Sequence, residues 1–401
     1  MSNAKTVGVI TFFDSSNYGQ LLQVYSTSAV VKSMGYDCEV INRSSGNIPK
    51  EPLFITLVKY ALRVCSGGFS VLRKTLASGK VKKEYASFNT KYTTELSVQK
   101  NMFDIFRDNK LKVGKTVYTN TKSISANPPV YDAYICGSDQ IWNPNAIFAQ
   151  SKHEYFLTFA PQGKRVAYAP SFSVEKLPRN CIPSYKKWVS QIPYLSCREI
   201  AGVQIIKELT GLDAMHVLDP SLLLEQTAWD ELIGDAKVVI PDEPYILCYI
   251  LGIKTEYESF VDSVVQAKGY RVITLPTITD GERFKHTNLF EAGPAEFVAL
   301  IKHAAFIVTD SFHGVAISML YNKPFRVFQR DDGMPEKANM FSRIDSLLTM
   351  CKIDMQVANA ATVFSEDMLK IDFGGANTIL KDKRLSSLQF LSSSLEKACE
   401  G

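Results

Sequence analysis

The chain reads TVGVITFFDSSNYGQLLQVYSTSAVVKSMGYDCEVIN from Thr6 to Asn42, and this stretch predicts the fold. Its two ends, Thr6–Phe13 and Cys38–Asn42, are short apolar runs rich in β-branched residues, as buried strands are. Between them, Gln20–Met34 has apolar residues at helical spacing and stops before Gly35, a typical residue at the end of a helix. A strand, a helix and a second strand in this order predict a parallel β-α-β unit.

The alternation of strands and helices resumes after a helix-rich stretch, and a second series begins near Pro244. Since 401 residues exceed what one hydrophobic core usually serves, we expect two domains. We therefore predict an α/β protein with two doubly wound Rossmann-like domains that face a cleft. The predicted ranges are 1–235 for the first domain, with a mostly helical insertion at 44–128, 236–375 for the second, and 376–401 for a C-terminal helix that packs back on the first.

Composition and motifs exclude several classes of function. A net charge of +4 suits an anionic small substrate or an acidic membrane surface, but it is too mild to indicate nucleic-acid binding. The eight Cys form no CxxC pair and the five His show no metal-binding spacing, so we expect reduced core thiols and no metal. No GxGxxG follows a strand, and Gly114–Thr116 fails as a phosphate loop because Asn109 stands where it needs glycine. We expect no cofactor.

The sequence favours a cytoplasmic protein. It has no signal-peptide pattern at its start, and no apolar run approaches the roughly 20 residues of a membrane span. The longest candidate, Phe54–Val64, is broken by Lys59 and Arg63. An ordinary helix is favoured there over an amphipathic helix on a membrane surface. Peripheral association with the inner face of the membrane stays open, as does the oligomeric state.

Polar turns follow the strands of both series, at the edge where doubly wound sheets bind their ligands. In the first domain these turns are Asp14–Gly19, Gly137–Asn143, Ser171–Ser173, Cys197–Glu199 and Asp219–Ser221. In the second domain the same edge carries Asp310–Gly314. Two such edges that face one another would form a site between the domains.

Three of these turns allow both a functional and a structural interpretation. Backbone amides near Gly19 could hold an anion, although a plain capped turn is favoured. Trp142 suits a stacking wall for a sugar and a core anchor equally well. Arg198 could grip a carboxylate or phosphate at two points, and the alternative is a surface ion pair with Glu199 or Glu208.

The segment TDSFHG, Thr309–Gly314, places a histidine in the first turn of a helix. The helix dipole favours the neutral form of His313, which could take a proton from a hydroxyl. We expect Gly314 to keep the space beside it open. A structural role is favoured for a lone histidine before other observations are added.

Six ordered blocks resemble the polysaccharide pyruvyl transferase family: NYGxxLQ, YDxxIxGSDQIWN, YAxSFS, SxREIxG, VLDPSLLL and GPxEFxxLI with TDSFHG. The match covers about residues 6–42 and 129–350. The resemblance implies a fold similar to the GT-B glycosyltransferases. It also implies transfer of the enolpyruvyl group of phosphoenolpyruvate to sugar hydroxyls, which forms a pyruvate ketal in surface or exopolysaccharide biosynthesis. The implied acceptor is a sugar or a lipid- or nucleotide-linked glycan.

The resemblance also implies roles for individual residues. His313 matches the family histidine as general acid/base, and Arg198 matches the anion-binding arginine, so these two are the predicted catalytic residues. Ser311 and the amides near Gly314 would support the phosphate, and the N-terminal turns would meet the acceptor. The full set of predicted substrate-binding residues is Asn17, Tyr18, Gly19, Ser138, Asp139, Ser311, Gly314 and Arg343.

One departure from the family pattern affects the expected donor. Several members read RLHG where this chain reads SFHG, so an arginine is missing two residues before His313. Arg343, Lys323 and Arg330 are the candidate replacements. The departure keeps two other functions open: glycosyl transfer from a nucleotide sugar, and a non-catalytic sugar-binding protein of a polysaccharide locus.

Overall fold

A computed structural model shows two Rossmann-like halves, one built on each predicted strand series. The described residues are 4–44, 83, 86–144, 152–252, 256–277, 287–330 and 341–401. The helix expected at Phe54–Val64 lies outside the described residues, as does much of the helical insertion predicted at 44–128. Within the described residues the strands form two sheets of six strands each, and all their pairings are parallel, as the sequence predicts.

The first sheet has the strand order β2-β1-β3-β4-β5-β6. Its strands are β1 (Thr6–Ile10), β2 (Asp37–Val40), β3 (Ala133–Cys136), β4 (Arg165–Ala167), β5 (Tyr194–Cys197) and β6 (Met215–His216). The helices of this half are α1 (Tyr18–Ser33), α2 (Thr93–Lys110), α3 (Thr121–Ala126), α4 (Ile182–Val189), α5 (Ile200–Thr210) and α6 (Gln226–Ile233). The predicted β-α-β unit is confirmed, since β1 pairs in parallel with β2 after α1.

The second sheet has the order β12-β11-β10-β7-β8-β9. Its strands are β7 (Tyr245–Tyr249), β8 (Arg271–Thr274), β9 (Thr287–Asn288), β10 (Phe306–Thr309), β11 (Phe325–Phe328) and β12 (Val357–Ala358). The helices that follow are α7 (Tyr257–Lys268), α8 (Pro294–His303), α9 (Phe312–Leu320), α10 (Ser342–Cys351) and α11 (Gly374–Glu400). Pro294 begins α8, a position where the helix requires no hydrogen bond from a backbone N–H.

One large hydrophobic cluster spans the two halves. The largest apolar cluster contains Val9 from the first sheet and Tyr249 from the second. Tyr18 joins them, because its ring stacks on Phe297 with centroids 4.7 Å apart and its hydroxyl donates to the Ala292 carbonyl at 2.9 Å. The carboxyl edges of the two sheets are therefore in contact at the junction.

The last helix, α11, returns to the first half. The backbone N–H of Leu218 donates to Ser387 Oγ at 3.0 Å, and Arg384 Nε donates to the Leu222 carbonyl at 2.8 Å. The sequence predicts a C-terminal helix over 376–401, and the observed helix begins at Gly374. Its first turns also contact the second half, where Asn377 Nδ2 donates to Asn322 Oδ1 at 3.0 Å. None of the helices in the described ranges has the length and apolar character needed to cross a membrane.

Candidate active site

The carboxyl edges of the two sheets bring a buried cluster of charged side chains together at the junction. Arg198 follows β5, Asp219 follows β6 and Asp139 follows β3 in the first half. His313 comes from the first turn of α9 in the second half. All four are at least 94% buried, so water screens the charges of the arginine and the two aspartates little.

Asp219 is the centre of the cluster. It precedes Pro220, and its Oδ1 accepts from the backbone N–H and the hydroxyl of Ser221 at 3.0 and 2.7 Å, which fixes the carboxylate. Its Oδ2 lies 2.8 Å from Ser138 Oγ. Burial raises the pKa of Asp219, but His313, Arg198 and Ser221 outweigh burial and hold that pKa well below its ordinary value. The carboxylate is therefore ionised.

Arg198 is a buried, paired cation. Its Nη1 donates to Asp219 Oδ2 at 2.7 Å, its Nη2 donates to Asp139 Oδ1 at 3.3 Å, and its guanidinium lies 5.0 Å from the ring centre of Phe312. Burial lowers the pKa of Arg198, but the neighbouring carboxylates raise it further, so the net shift is upward. The expected alternative, a surface pair with Glu199 or Glu208, is wrong because the partners are buried aspartates.

His313 rests directly on the start of α1. A Cβ added at Gly19 would lie 2.0 Å from His313 Nδ1, so only glycine permits this approach. The other ring nitrogen, Nε2, lies 3.6 Å from Asp219 Oδ1, beyond hydrogen-bond distance, and has no hydrogen-bond partner among the described residues. The imidazole therefore fills the space beside Gly19 where the sequence allowed an anion.

Arg343, in the first turn of α10, is a second buried guanidinium beside Arg198. Among the described residues no carboxylate lies within ion-pair distance of it. With the Gln140 amide turned so that its oxygen faces the guanidinium, that oxygen accepts from Nη1 and Nη2 at 3.1 and 2.9 Å. Burial, then Arg198, lowers the pKa of Arg343 to about 9.

Three buried nitrogen atoms of this cluster lack hydrogen-bond partners in the described part of the chain. They are the Nε atoms of Arg198 and Arg343 and the Nε2 atom of His313. A buried N–H without an acceptor costs free energy, so such atoms indicate a ligand or water that the protein is built to receive. Two of the three belong to cations, which favours an anionic ligand.

Several predicted binding residues serve as caps in this structure. The Asn17 side chain accepts from the Gln20 backbone N–H and begins α1, and the Ser311 side chain accepts from the Gly314 N–H and begins α9. Ser138 Oγ lies 2.9 Å from the Ala169 carbonyl, besides Asp219. These residues fix the backbone of the turns next to the charged cluster through hydrogen bonds.

Of the two interpretations left open for Trp142, the structure favours the core anchor, since the residue is fully buried and stacks on Phe156 at 5.0 Å. Two other residues differ from expectation. Tyr18 is buried and its hydroxyl donates to the Ala292 carbonyl, so the side chain lies in the core and not on an acceptor-facing wall. Gly314 does not leave open space, because a Cβ there would lie 2.5 Å from Thr309 Oγ1.

The candidate replacements for the missing arginine differ in position. Arg343 lies within the cluster. The positive charge of Arg330 contributes to lowering the pKa of Arg343. Lys323 lies after the far end of α9, where burial and Lys302 lower the pKa of its ammonium group. Arg343 is therefore the replacement that the geometry favours.

Sequence reasoning missed three residues of the site. Asp219 carried a signal, since it stands in a polar turn directly after a strand, but nothing marked it as the partner of both Arg198 and His313. Glu199 accepts from Ser171 Oγ and the Phe172 N–H, and so fixes the loop after β4. Gln140 showed no signal apart from its place in the turn after β3.

The chain also matches the model of a known protein family. The family model described as polysaccharide pyruvyl transferase matches residues 17–332, well over half of the chain. The chain belongs to the polysaccharide pyruvyl transferase family. The matched range contains the pyruvyl transferase blocks around Arg198, Asp219 and His313, whereas Arg343 lies beyond its end.

No curated protein matches this pyruvyl transferase family member. Among solved structures, a UDP-GlcNAc 2-epimerase from Neisseria meningitidis is 11% identical, with TM-score 0.42 over 95% of this chain and 100% of its own. The wall teichoic acid polymerase TagF is 9% identical, with TM-score 0.46 over 98% and 88%. A UDP-glucosyltransferase from Polygonum tinctorium is 10% identical, with TM-score 0.39 over 99% and 98%. Such distant similarities say nothing about the ligands of this chain.

Proposed function

We propose that this protein transfers the enolpyruvyl group of phosphoenolpyruvate to a pair of sugar hydroxyls. Two hydroxyl oxygens bond to C2 of the donor, and the bond from C2 to the phosphate oxygen breaks. The methylene carbon gains one proton and becomes a methyl group, and the other hydroxyl proton leaves with the phosphate as hydrogen phosphate. The products are a pyruvate ketal and inorganic phosphate.

The observation that carries the proposal is the buried Arg343 beside Arg198. Phosphoenolpyruvate is a small, highly charged anion, and burial of a cation without a counter-ion is costly. A bound anion would remove that cost and accept from the two unpartnered Nε–H groups. Arg343 would then supply the charge that family members with RLHG draw from an arginine two residues before the histidine.

His313 is the proposed general acid/base. Its Nε2 has no hydrogen-bond partner among the described residues and lies 3.6 Å from Asp219 Oδ1, so this nitrogen can take part in a proton transfer. It could therefore protonate the methylene carbon, or assist the sugar hydroxyl or the leaving phosphate. Because arginines, the histidine and the start of α9 can meet the developing charge, the proposal requires no resident cofactor. We further propose that the reaction takes place in the cytoplasm. The proposed acceptor is a sugar or a lipid- or nucleotide-linked glycan.

Isothermal titration calorimetry with phosphoenolpyruvate tests the donor. We expect binding to the wild type, a loss of about tenfold or more in Arg343→Met, and wild-type affinity in the control Arg179→Met, which removes the same charge from an exposed position. Equal affinity in Arg343→Met and wild type would contradict the assignment of this residue.

Two other outcomes would overturn the proposal. Binding of a nucleotide sugar in place of phosphoenolpyruvate would support glycosyl transfer. Failure to bind either donor, together with full function of His313→Gln in cells, would support a non-catalytic sugar-binding protein.

A further inference from the structure

Two neighbouring residues of one turn contact the two buried arginines of the junction. Asp139 and Gln140 are consecutive in the turn that follows β3. Asp139 Oδ1 accepts from Arg198 Nη2 at 3.3 Å. With the Gln140 amide turned toward the other guanidinium, its oxygen accepts from Arg343 Nη1 and Nη2 at 3.1 and 2.9 Å. The same turn therefore supplies a carboxylate to the first arginine and a neutral amide to the second.

The contacts on both sides of the Gln140 amide favour this orientation. Turned the other way, the amide would direct its N–H groups at the N–H groups of Arg343, and no acceptor would lie between them. Its oxygen would then accept from Asn143 Nδ2 at 3.0 Å, an uncharged donor. Hydrogen bonds to a charged group are stronger than those between neutral groups, so the Gln140 oxygen is the partner of Arg343.

Hydrogen bonds hold the backbone around Gln140. The Ser171 N–H donates to the Asp139 carbonyl at 2.8 Å, and the Trp142 N–H donates to the Ser171 carbonyl at 3.3 Å. Trp142 is fully buried, so the turn is anchored in the core. The amide of Gln140 consequently has a defined place beside the guanidinium of Arg343.

The charge of residue 140 determines how much of the Arg343 charge is available to a ligand. A glutamine holds the guanidinium by hydrogen bonds and leaves its positive charge unbalanced. A glutamate, which has the same shape, could form a two-point ion pair with the same two nitrogens. A bound anion would then compete with a carboxylate of the protein, as it would at Arg198.

We infer that Gln140 is a positioning residue for the anionic donor: its neutral side chain holds Arg343 within the cluster and preserves the positive charge that the donor meets. The inference rests on the proposed function for the identity of the donor. The dependence of anion binding on the charge of residue 140, however, is measurable with a simpler anion as well.

Isothermal titration calorimetry and thermal unfolding of substituted proteins provide the test. The probes are phosphoenolpyruvate and inorganic phosphate. Gln140→Glu keeps the shape of the side chain and adds a negative charge, and Gln140 is partly exposed, so that the new carboxylate can ionise. Gln140→Met keeps the side chain neutral and removes the acceptor. The control Gln162→Glu makes the same change of charge at an exposed position.

We expect Gln140→Glu to bind the probes about tenfold or more weakly than the wild type and Gln162→Glu do, because Arg343 gains a counter-ion. For the same reason the melting temperature of Gln140→Glu should rise. Gln140→Met should melt at a lower temperature and lose less affinity, because the guanidinium loses its acceptor but keeps its charge. Damage to the turn would lower stability and affinity together, so weaker binding with higher stability distinguishes the charge effect from a merely structural role.

A double variant tests whether Gln140 acts through Arg343. Arg343→Met should raise the melting temperature of the wild type but lower that of Gln140→Glu, because in the second background it breaks an ion pair. Wild-type affinity of Gln140→Glu for both probes, the same sign of the Arg343→Met effect in both backgrounds, or binding of neither probe to the wild type would each overturn the inference.

The two probes separate this inference from the proposed function. A wild type that binds phosphate but not phosphoenolpyruvate, with phosphate affinity lost in Gln140→Glu, supports the role of Gln140 and contradicts only the donor. Binding of phosphoenolpyruvate that Gln140→Glu leaves unchanged contradicts only the role of Gln140.

Discussion

The two buried arginines of the junction differ in what balances their charge. Arg198, from the first half, is paired with two aspartates and lies against Phe312. Arg343, from the second half, has an amide oxygen as its described partner and no carboxylate within ion-pair distance in the described ranges. Two aspartates balance the charge of Arg198 within the folded structure, whereas burial of Arg343 without a carboxylate partner costs free energy that the proposed anion would offset. The comparison teaches that a buried cation indicates a charged ligand more strongly when the fold supplies no counter-ion for it.

The largest effect is expected from Arg198→Met. The substitution leaves Asp219 and Asp139 buried without their cation, so we expect a loss of about 3–5 kcal/mol in the free energy of unfolding. Urea denaturation followed by circular dichroism measures it. The double variant Arg198→Met/Asp219→Asn should recover part of the loss, and equal losses in both variants would contradict the pairing.

The next effect concerns acid stability and His216. Burial depresses its folded pKa to about 4, so between pH 6.5 and 4 the unfolded chain takes up a proton that the folded chain does not. The free energy of unfolding should therefore decrease by about 3 kcal/mol as the pH drops from 6.5 to 4, at about 1.4 kcal/mol for each unit of pKa difference. His216→Gln should lack this contribution. Denaturation of both proteins from pH 7 to pH 4 isolates it, and a constant difference between them would refute it. The exposed His303→Gln should give a smaller change.

A middle-sized effect is expected from Gly19→Ala. The added methyl group would overlap the His313 ring, which must shift from its position beside α1, at a cost of about 1–3 kcal/mol. Phosphoenolpyruvate-dependent phosphate release should fall as well. Gly163→Ala is the control, because a Cβ there meets nothing within 4 Å. Similar stability and activity in the two variants would show that the His313 ring does not lie in direct contact with Gly19.

The smallest effect is expected from Arg343→Met. Its change in the free energy of unfolding should be opposite in sign to that of Arg198→Met. Removal of an unpaired buried cation should raise the free energy of unfolding by about 1 kcal/mol, while donor affinity falls. Thermal unfolding with and without phosphoenolpyruvate measures both. A destabilised variant would mean that Arg343 is paired as Arg198 is.

The alternation of strands and helices was sufficient to predict the fold. The rule that ligands bind at the carboxyl edge of the strands pointed to the turns that contain Arg198 and His313, and the family resemblance singled out these two residues. They share Asp219 as a neighbour, and their catalytic role stays a prediction. The pattern could not show that Tyr18 and Trp142 point into the core, because a position near a helix start does not determine which neighbour the side chain meets. Nor could it pair Arg198 with an aspartate 21 positions away, since such contacts depend on how loops from different strands fold together.

The return of α11 to the first sheet has a consequence for the order of folding. Ser387 and Arg384 contact the segment just after β6, yet they are synthesised only after the whole second sheet. The first domain therefore cannot complete its surface as it leaves the ribosome, and contacts of such long sequence separation form slowly. During synthesis the face that α11 covers would remain exposed, so the first half is the part of the nascent chain that most depends on protection from aggregation.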